Sequence, residues 1–123
     1  MANQEIKATV LVVEDETLVR LYGMDILEDA GFRVLDAGNA DEAIAVLQSH
    51  DEVSLLFSDI DMPGSMNGLE LAHVVHDRWP NIRLLLTSGH RQPTQDQIPD
   101  DGRFMRKPWG EQALMAKIRE ILA

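Results

Sequence analysis

The chain has 123 residues, 45% of them hydrophobic, which is one domain's length and enough to bury roughly two thirds of the unfolded surface without a staple. Cys is absent, so disulfides, thiolate metal sites and Cys nucleophiles are all excluded. Lys and Arg total 11 against 21 Asp and Glu, a net charge of -10, and such a field argues against direct binding to nucleic acid or to an anionic membrane.

Short apolar runs alternate with longer helical stretches, with no repeat, linker or low-complexity tract. Thr9–Val13 (TVLVV) is β-rich and almost without alternation, the mark of a strand buried on both faces. Val19, Tyr22, Gly23, Ile26, Leu27 and Ala30 then recur at helical spacing, and Gly31 supplies the stop. Residues 32–35 form a second short run. Asn39 caps the next predicted helix, with Glu42 at the capping-box position and Ala40, Ala43, Ile44 and Leu47 as its apolar stripe.

Residues 53–58 (VSLLFS) predict a third strand, followed by a turn-rich stretch, 61–68 (DMPGSMNG). Asn67 caps a helix carrying Leu71, Ala72 and Val75 that ends before Pro80. Residues 82–87 (IRLLLT) give a fourth strand, Arg103–Arg106 a weak fifth, and a last helix starts near Gly110 with Leu114, Met115, Ile118, Ile121 and Leu122 inward. Strands alternating with helices mean βαβ units and a parallel sheet covered on both faces. Right-handed crossovers admit few windings of five such units. The flavodoxin-like, doubly wound α/β order 2-1-3-4-5 is the one expected, with its site at the carboxyl ends of the strands.

Those ends carry chemistry. Strand one runs into Glu14-Asp15-Glu16, strand three into Asp59 with Asp61 just beyond, strand four into Thr87-Ser88, and strand five into Lys107-Pro108. In this order strands one and three are neighbours, so Glu14, Asp15 and Asp59 converge on one rim. Three carboxylates so close repel unless a cation sits among them. Hard oxygen ligands favour Mg²⁺ or Mn²⁺, and an incomplete cage suits Mg²⁺, which keeps waters and shares a substrate phosphate. Each residue alone has an ordinary explanation, such as a helix cap, a turn former or a solvated lysine. Their placement at four strand ends of one sheet points to phosphoryl transfer.

These residues resemble the receiver domain of two-component response regulators over essentially the whole chain. The resemblance rests on residues 10–16 (VLVVEDE), 58–63 (SDIDMP) with Gly68-Leu69-Glu70, Leu86-Thr87-Ser88, and Lys107-Pro108. It implies that Asp59 takes a phosphoryl group from a sensor histidine kinase or a histidine phosphotransfer protein. It implies Mg²⁺ on Asp15, Asp59 and the Asp61 carbonyl, with Glu14 in the outer shell. Thr87 and Lys107 would bind the phosphoryl oxygens, the Lys107–Pro108 bond would be cis, and Phe104 would be the switch aromatic. The carboxylate is then the nucleophile, and the new dianion draws Thr87 and Lys107 inward, opening space for Phe104.

Residues 1–123 are thus expected to form one receiver domain, acting alone as a switch toward a protein partner, or as a phosphate shuttle or sink in a phosphorelay. Such a domain is no enzyme beyond catalysing its own phosphorylation and dephosphorylation. A haloacid-dehalogenase-like phosphatase is the enzyme alternative, since Asp59-Ile60-Asp61 reads as Asp-x-Asp. A pseudo-receiver that accepts no phosphate is the third. Three departures stand out: an extra residue in 64–68, Ser88 where a small apolar residue is common, and a segment 90–102 without the apolar stripe of a fourth helix. Pro93 and Pro99 interrupt that segment, so a short or irregular helix is expected there. His73 and His76 are expected to be a surface pair, and Trp79 and Trp109 to pack against helix ends. No apolar run approaches the roughly 20 residues of a membrane span, and residues 1–7 lack the core of a signal peptide. A soluble, cytoplasmic domain is expected.

Overall fold

The computed structural model describes residues 8–99 and 102–123. Residues 1–7, 100 and 101, which include the N-terminal stretch read above and part of the proline-interrupted segment, lie outside the described residues.

Among the described residues ten elements follow in order: β1 Thr9–Val13, α1 Thr17–Asp29, β2 Arg33–Ala37, α2 Ala40–Ser49, β3 Val53–Asp59, α3 Gly68–Arg78, β4 Arg83–Ser88, a 3-10 turn Gln95–Gln97, β5 Arg103–Arg106 and α4 Glu111–Leu122. The five strands form one parallel sheet in the order β2-β1-β3-β4-β5, as expected. Alternate strand residues feed two cores. Leu11, Val13, Leu56, Leu84 and Leu86 pack with α2, α3 and Ile98 on one face. Val10, Val12, Leu55, Phe57, Leu85 and Met105 pack with α1 and α4 on the other. Double-sided burial is why the strands read as unbroken apolar runs.

Local chemistry sets the boundaries. Gly31 ends α1 with a φ of 95°, where a residue with a Cβ is strained. Asn67 and Glu70 form a full capping box at α3. Asn39 caps α2 by accepting from the Glu42 N–H, but Glu42 differs from the expectation: its carboxylate accepts from the Gly38 N–H at 2.7 Å instead of the Asn39 N–H. Asn39 is too extended for the return bond, with φ -162° and ψ 177°, and the glycine amide one residue earlier takes its place. The second strand is Arg33–Ala37 rather than 32–35, because pairing with β1 continues through the polar Asp36. Between β4 and β5 the described residues form only the 3-10 turn, with Ile98 as its buried anchor. No helix among the described residues is long and apolar enough to cross a membrane.

Candidate phosphoacceptor site

The period of two along a strand explains why four distant residues meet. Glu14, Asp59, Thr87 and Lys107 each lie two positions past Val12, Phe57, Leu85 and Met105, which are buried on the α1/α4 face. Each therefore emerges on that same face at the sheet's carboxyl rim. Register supports this directly: Val12 is opposite Phe57, and Asp59 opposite Thr87, which is in turn opposite Met105.

Carboxylate oxygens of Glu14, Asp15 and Asp59 all lie within 4.8 Å of one another. Glu14 and Asp59 are buried and Asp15 is exposed. Lys107 reaches in from β5, with Nζ 2.8 Å from Glu14 Oε1 and 3.4 Å from Asp59 Oδ1. The Lys107–Pro108 peptide bond is cis. The Asp61 N–H donates to Asp59 Oδ1 at 3.3 Å. Thr87 Oγ1 is buried with no hydrogen-bond partner among the described residues, an arrangement that costs free energy unless a ligand completes it.

Burial and then the Glu14 charge push the Asp59 carboxyl up from 3.8 to about 6, against the pull of Lys107 and the Asp61 N–H. For Lys107, burial opposes the charge, but its hydrogen bond to Glu14 and the Asp59 charge outweigh it and raise the ammonium above its usual range. An excess of anion remains: three carboxylates face one ammonium. An all-oxygen donor set of this kind fits a hard divalent cation.

The sequence model of the response regulator receiver domain matches residues 10–119. The chain belongs to the response regulator receiver domain family. It is 31% identical to the response regulator receiver protein CpdR of Brucella abortus, covering 92% of this chain and 95% of CpdR. It is 32% identical to the sensor kinase CckA of the same organism over 94% of this chain, but spans only 12% of CckA's length. A response regulator receiver protein from Sinorhizobium medicae superposes with a TM-score of 0.85, at 26% identity and covering 94% of both chains.

Within this receiver, Asp61 is turned away from the acceptor. Its carboxylate accepts from the Ser88 hydroxyl and pairs with Arg91, Nε 3.3 Å from Oδ1. Ser88 Oγ also accepts from the N–H groups of His90 and Arg91. Asp61 is thus committed to a loop contact, which leaves the Asp-x-Asp phosphatase alternative without a free acid at that position. Phe104 is half-buried and packs against the α2/α3 core. Trp109 stacks on Tyr22 with ring centroids 5.5 Å apart and tilts against Phe57 at 5.3 Å. Gly23 leaves room for it, since a Cβ there would lie 3.3 Å from the indole.

Arg20 and Arg91 are functional-site neighbours that the sequence reading passed over. Their long side chains reach the rim from α1 and from the loop after β4, and no spacing rule reports where a flexible stem turns back.

Proposed function

We propose that Asp59 is the phosphoacceptor of this receiver and takes its phosphoryl group from a sensor histidine kinase or a histidine phosphotransfer protein. One observation carries the reading: a buried carboxylate lies beside a Lys ammonium, with a buried hydroxyl on the neighbouring strand that has no partner among the described residues. Asp15 and Asp59, with the Asp61 carbonyl, would hold Mg²⁺, and Glu14 would assist from the outer shell. The cation, when bound, supplies charge neutralisation for the transferring oxygens. A carboxylate oxygen of Asp59 attacks phosphorus, the donor imidazole nitrogen leaves with its electron pair, and an acyl phosphate forms.

Lys107 and Thr87 then supply the donors that hold the phosphoryl oxygens. Drawing Thr87 inward biases the half-buried Phe104, and the output surface changes for a downstream protein partner. The same acceptor chemistry also serves a phosphate shuttle or sink. The domain catalyses only its own phosphorylation and dephosphorylation.

The donor needs a docking face within reach of Asp59. Leu18 is 82% exposed and Leu21 and Tyr22 about half exposed, and Leu18 and Tyr22 line an apolar groove of about 300 Å³ with Pro108, Trp109 and Lys107. Because Lys107 belongs to both groove and site, a protein donor that reaches Asp59 covers this groove. Acetyl phosphate tests acceptance without any partner. Intact mass should show one phosphoryl group per chain with Mg²⁺ and none with EDTA. Absence of labelling at saturating donor and metal would defeat the proposal.

A further inference from the structure

We propose that Arg20 is a positioning residue that presents the acidic β1–α1 turn to the divalent cation, an inference that rests on the metal reading given above. Arg20 lies in the second turn of α1 with its side chain 19% exposed, turned back over the end of the sheet. Nη1 donates to the Glu14 backbone carbonyl at 2.7 Å. Nε lies 3.1 Å from Asp36 Oδ2 on β2, an ion pair rather than an aligned hydrogen bond. One guanidinium therefore ties the exit of β1 to the end of β2.

The consequence falls on the peptide that joins Glu14 to Asp15. The Glu14 N–H, on the preceding peptide, donates to the Ala37 carbonyl at 3.1 Å, and Arg20 holds the Glu14 carbonyl of the joining peptide itself. The Glu14 carboxylate is fixed in turn by Lys107 on Oε1 and by the Glu16 N–H on Oε2. Asp15, which is exposed, hangs from a peptide plane whose tilt Arg20 sets. Gly38 is part of the arrangement: a Cβ there would lie 3.0 Å from Arg20 Nη1, so a side chain would crowd the guanidinium.

Two effects of Arg20 on a bound cation oppose each other. As a positive charge near the site it weakens cation binding, and removing it would tighten binding. As a brace for the Glu14–Asp15 peptide it strengthens binding, and removing it would loosen the carboxylates. Asp36 neutralises much of the charge, so positioning should win. An ammonium has no planar fork to span both partners, so Lys should not substitute.

The test is Mg²⁺ affinity of the unphosphorylated protein, read from Trp109 fluorescence in a W79F background. Trp109 lines the same small cavity as Asp59 and Thr87, so its emission reports the site. R20M should weaken Mg²⁺ binding about tenfold, the low end for losing a group that orients metal ligands. R20K should weaken it nearly as much, although it keeps the charge. G38A, which keeps Arg20 but crowds it, should fall in the same direction and serves if R20M folds poorly. Wild-type or tighter binding in R20M, or full rescue by R20K, overturns the proposal while leaving the metal reading intact. A wild-type protein that binds no Mg²⁺ overturns both.

Discussion

Asp59 carries its charge where burial opposes it, and that opposition has a sign that can be measured. Its carboxyl titrates near 6 in the folded protein against 3.8 in the open chain. Between those values the native state binds more protons, so stability falls as pH rises through this window and stays reduced above it. The shift corresponds to about 3 kcal/mol at neutral pH. D59N removes the charge, so in metal-free buffer it should be more stable than wild type by about 1–3 kcal/mol at pH 7, with the gain vanishing near pH 4. Urea unfolding at the two pH values checks this, and an equal difference at both would contradict it. Lys107→Ala and Thr87→Ala differ in kind. Both keep the nucleophile and should still accept phosphate, more slowly, but should lose the phosphorylation-induced change in amide exchange near Phe104. A normal exchange response in either variant would argue against that coupling. Glu14, Asp59, Thr87 and Lys107 were legible because strand period and strand order alone bring them together. The Asp61 side chain was not: Asp61 entered as a carbonyl ligand, and only the loop conformation shows its carboxylate engaged with Ser88 and Arg91.

At the scale of elements, the segment after β4 is the departure with the largest consequence. Pro93 and Pro99 forbid a continuous helix, and the 3-10 turn Gln95–Gln97 is held by Ile98, the contact of His73 Nε2 with the Gln97 carbonyl at 2.9 Å, and its own capping box. Amides of residues 91–97 should therefore exchange far faster than those of 114–122, which lie in α4 and its buried Leu114, Ile118 and Ile121. Comparable protection in the two segments would overturn this. Gly68 opens α3 against the end of β3, and a Cβ there would collide with the Asp59 carbonyl oxygen and lie 2.7 Å from Ile60 Cα. G68A should cost about 1–3 kcal/mol in urea unfolding, as overpacking against backbone cannot relax cheaply. That the described residues between β4 and β5 form no α-helix was legible from two prolines and a missing apolar stripe. Strand ends were legible only to within a residue or two: β2 runs on through Asp36 and β3 includes Asp59, because backbone pairing continues past the last apolar residue.

For the whole molecule, the net charge is -10, and a mostly apolar groove that includes Lys107 opens beside the acceptor. Phosphoryl transfer from a histidine phosphotransfer protein should thus depend on that surface, while transfer from acetyl phosphate should not. L18A is expected to slow the protein-donor reaction about tenfold, in keeping with loss of an anchor from an interface, with the small-donor rate within twofold of wild type. Equal slowing with both donors would place the defect in the site instead. The groove itself was only half legible. Tyr22 read as part of the inward stripe of α1, yet it is half exposed: its ring stacks on Trp109, and Trp109 is the ring that packs against Phe57 of the core. The central claim is that one carboxylate among the acidic cluster accepts the phosphoryl group, and its location can be read directly. Borohydride reduction converts an acyl phosphate of aspartate to homoserine, which peptide mass mapping localises. After acetyl phosphate and Mg²⁺, homoserine should appear at Asp59 alone and be absent from D59N. Homoserine at Asp15 or Asp61, or undiminished labelling of D59N, would contradict the account.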